Sequence, residues 1–243
     1  MSGHNKWSTI KHKKEKTDAA RGKIFTKIGR EIAVAVKTGG SDPATNSRLR
    51  DCIAKARANN MPNDNINRSI KKAAGELGSV DYTDIVYEGY GPGGVAVIVE
   101  VLTDNKNRTA AEIRHAFDKN GGSLGQTGCV GWMFDRKGVI VVEDDGSISE
   151  DDLMEKALEA GAEDFSAEEG AFEILTDPSE FSAVREALEN DGIKFASAEG
   201  DMIPQNTQSI SDEQKVQIEK MLDMLEDNDD VQNVYHNAEM DEV

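Results

Sequence analysis

The sequence predicts an α+β fold: a basic three-helix amino-terminal domain followed by two ferredoxin-like α/β domains, one inserted in the other. Three observations lead there. Before residue 78 apolar residues recur at helical spacing between strong stop signals, and after Tyr82 the texture changes to short runs rich in Val and Ile. Those runs alternate with helical stretches so that the order βαββαβ can be read twice, one copy enclosing the other. The expected divisions are 1–78 for the helical domain, 79–136 with 202–243 for the middle domain, and 137–201 for the acidic insert.

In the first helix Ile24, Ile28, Ile32 and Val36 recur every four residues, with Phe25 and Ala35 beside them. Thr17 and Asp18 offer amino-terminal caps, and Gly39-Gly40 stops the helix. Its polar face carries Arg21, Lys23, Lys27 and Arg30. Asp42-Pro43 is expected to open a second helix, with Leu49, Ile53 and Ala56 inward and Arg48, Arg50, Lys55 and Arg57 outward, ending at Asn59-Asn60. Pro62 suits the first turn of a third helix striped by Ile66, Ile70 and Ala73 and closed by Gly75.

The runs at 84–90 and 95–102 are expected to pair through the loop Gly91-Pro92-Gly93-Gly94. That loop lacks the Lys-Ser/Thr of a phosphate cradle and opens no helix, so it reads as a tight turn. A helix over 108–119, the turn Gly121-Gly122 and a strand over 130–134 follow. The insert reads as strand 139–143, helix 149–160, strands 162–166 and 172–175, helix 178–189 and strand 193–198. Beyond it come strand 203–210, helix 212–225 and strand 231–235, which with 95–102, 108–119 and 130–134 would complete the second βαββαβ.

Charge is distributed with strong polarity. The net charge is -18, yet residues 1–75 hold 17 Lys and Arg against 6 Asp and Glu, whereas residues 137–243 hold 6 against 31. The arm from Gly3 to Lys16 concentrates Lys6, Lys11, Lys13, Lys14 and Lys16 with His4, His12 and Trp7 around a single acid, Glu15. Such a basic head asks for a polyanion and predicts oriented encounter with it, because the acidic half is repelled. Lys and Arg neutralise phosphates and release counterions. Trp7 can stack on an unpaired base or fold back onto the helical domain, and the residues leave both open. The same polarity predicts that the acidic domains contact the basic head when no nucleic acid is bound.

Enzyme chemistry has no visible carrier. His4, His12, His115 and His236 have no partner at metal or base spacing, and Cys52 and Cys129 form no Cys-x-x-Cys. The pairs Asp144-Asp145, Asp151-Asp152 and Asp229-Asp230 lack the glycine and terminal glutamate of a calcium loop. No catalytic residue, metal, cofactor or small-molecule substrate is expected. No run approaches eighteen apolar residues, and the amino terminus lacks a secretory apolar centre, so a cytoplasmic protein without membrane contact is expected. No helix-turn-helix signature names a recognition helix.

The stretches GHNKWSTIKHKK, RGKIFTKIGREI, MPNDNINRSIKK, YEGYGPGGVAVIVEVLTDNKNRTAAEIRHAF, GGSLGQTG and DDVQNVYHNAE, in that order over nearly the whole chain, resemble the YebC family. The resemblance implies a cytoplasmic three-domain protein carrying the label of a probable transcriptional regulator. It also implies kinship with a mitochondrial translational activator of cytochrome oxidase subunit I and with ribosome-associated factors that relieve stalling. By resemblance, Lys6, Trp7, His12, Lys13, Lys14, Arg21, Lys23, Lys27 and Arg30 match the basic amino-terminal motifs, and Asn105, Asn107 and Arg108 match a loop of the middle domain. Lys11, Arg48, Arg50 and Arg57 join them as candidate nucleic-acid contacts on charge alone. Asn63-Asp64 departs from the family's Lys-Asp after Met-Pro, which removes one candidate phosphate contact. The expected partner is nucleic acid, either DNA in transcription or ribosomal RNA in translation. An adaptor whose acidic domains hold basic proteins is the third reading.

Overall fold

The computed structural model describes residues 18–75, 80–168 and 170–240. The head consists of α1 (Asp18–Gly39), α2 (Ser47–Ala58) and α3 (Asn63–Ala73). Their apolar stripes meet in one core containing Ile28, Ile32, Leu49, Cys52, Ala56 and Ile66. The second helix opens later than the sequence suggests. The Asp42 carboxylate accepts from the Ala44 amide at 2.9 Å, a local turn that holds the chain outside the helix until Asn46.

Asn46 is the cap. Its Oδ1 accepts from the Leu49 amide at 3.0 Å, and its Nδ2 donates to the carbonyls of Ala35 and Gly40, each at 2.8 Å. One buried side chain thus starts α2 and finishes α1. Replacing it by Ala removes the partner of the Leu49 amide and of the Gly40 carbonyl, while the Ala35 carbonyl still accepts from Thr38 Oγ1 at 3.2 Å, and Asn46→Ala is expected to lower stability by about 2 kcal/mol. Urea unfolding of the two proteins measures this; an unchanged midpoint contradicts it.

The middle sheet has β1 (Thr83–Tyr90), β2 (Ala96–Thr103), β3 (Ser123–Leu124) and β8 (Val231–His236) in the order β3-β1-β2-β8, all neighbours antiparallel. Strand β2 is buried on both faces, as its unbroken apolar run requires. Val97, Val99 and Val101 pack with Ile113 and Phe117 of α4 (Lys106–Lys119) and with Ile218, Met221 and Leu225 of α7 (Asp212–Glu226). On the other side Ala96 and Ile98 meet Val130, Phe134 and Tyr235. The Gly-rich loop is the hairpin turn between β1 and β2, with Gly93 and Gly94 at φ of 73° and 77°, conformations that glycine adopts freely.

The insert consists of β4 (Phe134–Glu143), α5 (Glu150–Ala160), β5 (Asp164–Glu168), β6 (Ala171–Thr176), α6 (Phe181–Asn190) and β7 (Ser197–Pro204). Its order β5-β6-β4-β7 with the chain sequence βαββαβ is ferredoxin-like. Ser149 caps α5 by accepting from the Asp152 amide at 3.2 Å.

Two expected strands are absent from the middle sheet. Residues 131–133 form a single 3-10 turn, and Phe134 already begins β4. Residues 205–210 contribute only an isolated bridge from Gln208 to Ala238. The sheet keeps the ferredoxin-like strand order, but β1 precedes β2 in the chain, where βαββαβ would place that strand between β3 and α7. The physical reason is a ladder. β4 and β7 pair from Phe134 opposite Pro204 to Val141 opposite Ser197, so the two crossings between the domains run as one continuous ribbon. Asp135, Arg136 and Lys137 are polar because that stretch of ribbon is largely open to water, and polarity mimics a break between strands.

Candidate nucleic-acid interface

Lys6, Trp7, Lys11, His12, Lys13 and Lys14 lie outside the described residues. Of the other candidates, Lys23, Lys27, Arg30, Arg50 and Arg108 are engaged by the protein's own carboxylates and carbonyls.

Lys23, Lys27 and Arg30 fall on one face of α1 through their spacing of four and three residues. That face lies on the carboxyl-terminal end of α7. Lys23 Nζ is 2.7 Å from Asp227 Oδ1, and Lys27 Nζ donates to the Glu226 carbonyl at 2.9 Å. These are the free carbonyls and carboxylates that end a helix, where the macrodipole favours positive charge. Arg30 reaches deeper. It donates to the Leu102 carbonyl at 2.9 Å and to Asp230 Oδ1 at 2.5 Å, with its guanidinium 5.3 Å from the centre of the Tyr82 ring.

Asp230 is the hub of this contact. Its other oxygen accepts from Arg108 at 2.7 Å, Thr109 Oγ1 at 2.6 Å and Thr103 Oγ1 at 3.0 Å, and its side chain is 4% exposed. Burial alone would raise its pKa, yet the bonds from Arg108, Thr109, Arg30 and Thr103 hold it low, at about 2. Arg108 also pairs with Asp104 at 3.0 Å. Asn105 caps α4 by accepting from the Arg108 amide at 3.1 Å, and Asn107 is exposed in the first turn.

Helix α2 lies against the insert. Arg50 Nε is 2.8 Å from Glu186 Oε1, and its Nη1 donates to the Pro43 carbonyl at 2.8 Å. Asp51 accepts from Ser182 at 2.7 Å and from the buried Arg185 at 3.2 Å. Lys55 Nζ stands between Glu31 Oε1 at 2.9 Å and Glu199 Oε2 at 3.0 Å. Burial alone would lower its pKa, but the two carboxylates more than offset this and raise it. Arg48 is a looser case, 4.0 Å from Asp84 with both side chains exposed. The expected contact between acidic domains and basic head is therefore present, and it engages Lys23, Lys27, Arg30, Arg50 and Lys55, while Arg108 is held within the middle domain by Asp104 and Asp230.

Arg21 and Arg57 are exposed. The face of α3 opposite Ile66, Ile70 and Ala73 presents Arg68, Lys71 and Lys72 to solvent, and among the described residues no carboxylate lies within ion-pair distance of any of these three. Sequence reasoning missed this stripe. The signal was the same amphipathic spacing used for the core, read on its outer side. Among the described residues no group of three or more His, Cys, Asp or Glu side chains is placed to hold a metal ion, and no helix is long and apolar enough to cross a membrane.

Comparison with known proteins gives a consistent result. Residues 5–76 match the model of the TACO1/YebC protein N-terminal domain, and residues 82–238 match that of the TACO1/YebC second and third domain. The chain is 63% identical over 238 residues to a probable transcriptional regulatory protein of Acetivibrio thermocellus, covering 98% of each chain. It is 62% identical over 242 residues to one of the same description from Caldicellulosiruptor saccharolyticus, covering 100% of each. Among solved structures, a conserved hypothetical protein from Aquifex aeolicus shares 47% identity and a TM-score of 0.85, with 94% of each chain covered.

Proposed function

The chain belongs to the TACO1/YebC family, and from that premise we propose that it is a non-enzymatic, nucleic-acid-binding regulator of gene expression that engages its partner through its basic head. The relatives' description as probable transcriptional regulatory proteins favours DNA as the partner. The observation that carries the reading is the α3 stripe. Arg68, Lys71 and Lys72 sit three and four residues apart on one solvent-facing side, while other head cations are held by carboxylates of the acidic domains. A row of cations left unneutralised beside a molecule rich in carboxylates is suited to phosphates spaced along a backbone. Lys6, Lys11, His12, Lys13, Lys14 and Trp7 of the arm, with Arg21 and Arg57, extend that interface in this reading. Asn105, Asn107 and Arg48 are left as secondary contacts.

Substituting Arg68, Lys71 and Lys72 together by Ala is expected to weaken binding to duplex DNA at least tenfold. It should also flatten the dependence of log affinity on log salt by about 0.9 for each phosphate that the variant no longer neutralises. Fluorescence anisotropy across a salt series measures both. Unchanged affinity and slope would remove α3 from the interface. Crosslinking in cells followed by sequencing of the bound nucleic acid separates DNA from messenger and ribosomal RNA.

A further inference from the structure

Between α2 of the head and the connection from α6 to β7 lies a crevice of about 350 Å³. Lys55, Arg57 and Ala58 line it from the head, and Ile193, Lys194 and Phe195 line it from the insert. Its charges can be accounted for one by one. Lys55 is neutralised by Glu31 and Glu199, and Glu189 on the rim is held by Arg185 at 2.7 Å. Among the described residues Arg57 and Lys194 have no carboxylate within ion-pair distance. Asp145, held low chiefly by Ser147 and to a smaller degree by Lys194, stands beyond that distance. Lys137, Lys156 and Arg185, the other basic residues of 137–201, are each paired. The lining therefore presents two cations without a carboxylate within ion-pair distance, one from each domain, together with the apolar surface of Ala58, Ile193 and Phe195.

We propose that this crevice binds a single unpaired nucleotide by its terminal phosphate. A phosphomonoester carries a charge of about -1.5 to -2 at neutral pH, which matches the two unpaired cations, and the apolar surface with Phe195 suits the flat face of a base. A space of this size takes one nucleotide and excludes a duplex. Because Arg57 belongs to the head and Lys194 to the insert, the bound nucleotide joins the two domains and favours their docked arrangement. This rests on the nucleic-acid reading above and adds to it a recognised group, the phosphorylated end of a strand.

Calorimetric titration of the full chain with AMP tests the site, with adenosine and inorganic phosphate as comparators. AMP is expected to bind more tightly than either comparator. Arg57→Ala and Lys194→Ala are each expected to weaken AMP about tenfold, the worth of one charge-assisted hydrogen bond, while Lys194→Arg retains most of the affinity. Both substitutions are at exposed positions, and unchanged thermal unfolding confirms that the variants fold. Absence of AMP binding by the unmodified chain, unchanged affinity in both alanine variants, or equal affinity for AMP and inorganic phosphate overturns the proposal. Binding of duplex DNA through α3 is scored in a separate titration, so failure of the wider reading is distinguishable from failure of this site.

Discussion

Asp230→Asn lowers the stability of the protein by about 3 kcal/mol, the scale of breaking a buried ion pair by removing one partner. The substitution keeps the shape of the side chain but takes its charge from between Arg30 and Arg108, and an amide nitrogen meets donors where an oxygen accepted them. Arg30 has nowhere to turn, since its side chain is 14% exposed and its Nε already has no hydrogen-bond partner. The pH dependence has a definite sign. The folded pKa of Asp230 lies below its ordinary value, so its contribution is fully present above the unfolded pKa near 4 and is lost as pH falls toward about 2. That contribution amounts to about 2 kcal/mol, and it disappears from the acid limb of the variant. Denaturant unfolding of both proteins at pH 7 and pH 3 measures the effect; parallel pH profiles would show that Asp230 is not the group responsible.

Lys55→Met is the second large loss, also about 3 kcal/mol. Methionine fills the space of the lysine stem, so the substitution tests the charge more than the packing. Without the ammonium, Glu31 of the head and Glu199 of β7 share a half-buried site with like charge and no counter-ion. The repulsion falls across the boundary between head and insert, so the docked arrangement weakens along with global stability. Adding Glu199→Gln to Lys55→Met should restore part of the loss, because it removes one of the two stranded charges. Measured stabilities of the single and double variants form the check; simple additivity of the two substitutions would refute direct coupling.

The two sites explain why charge polarity alone does not separate cations open to a partner from cations held within the chain. Counting cations identifies the head, and spacing along α1 correctly puts Lys23, Lys27 and Arg30 on one face. Apart from the Leu102 carbonyl, the carboxylates and carbonyls that occupy that face come from 226–230, about two hundred residues later in the chain. A basic helix face is usually solvated, but here it is a docking surface for the protein's own acidic domains. The free stripe on α3 was legible in principle, because its outer residues follow from the inward positions of Ile66, Ile70 and Ala73. The crevice with Arg57 and Lys194 was not legible, because its walls come from separate domains.

Local pattern determined a good deal of this protein without help. Four-residue apolar recurrence specifies the three head helices, alternation and turn residues specify the insert's βαββαβ order, and the motif series specifies the family. Those signals are carried by neighbours within a turn or a strand, so they survive in one dimension. The tertiary structure alone decided which strand completes the middle sheet, since β1 competes for β2 through eight paired positions and leaves 205–210 outside. It also decided which cations remain available to a partner. Availability depends on whether a carboxylate is brought within about 4 Å, and only the folded chain sets that distance.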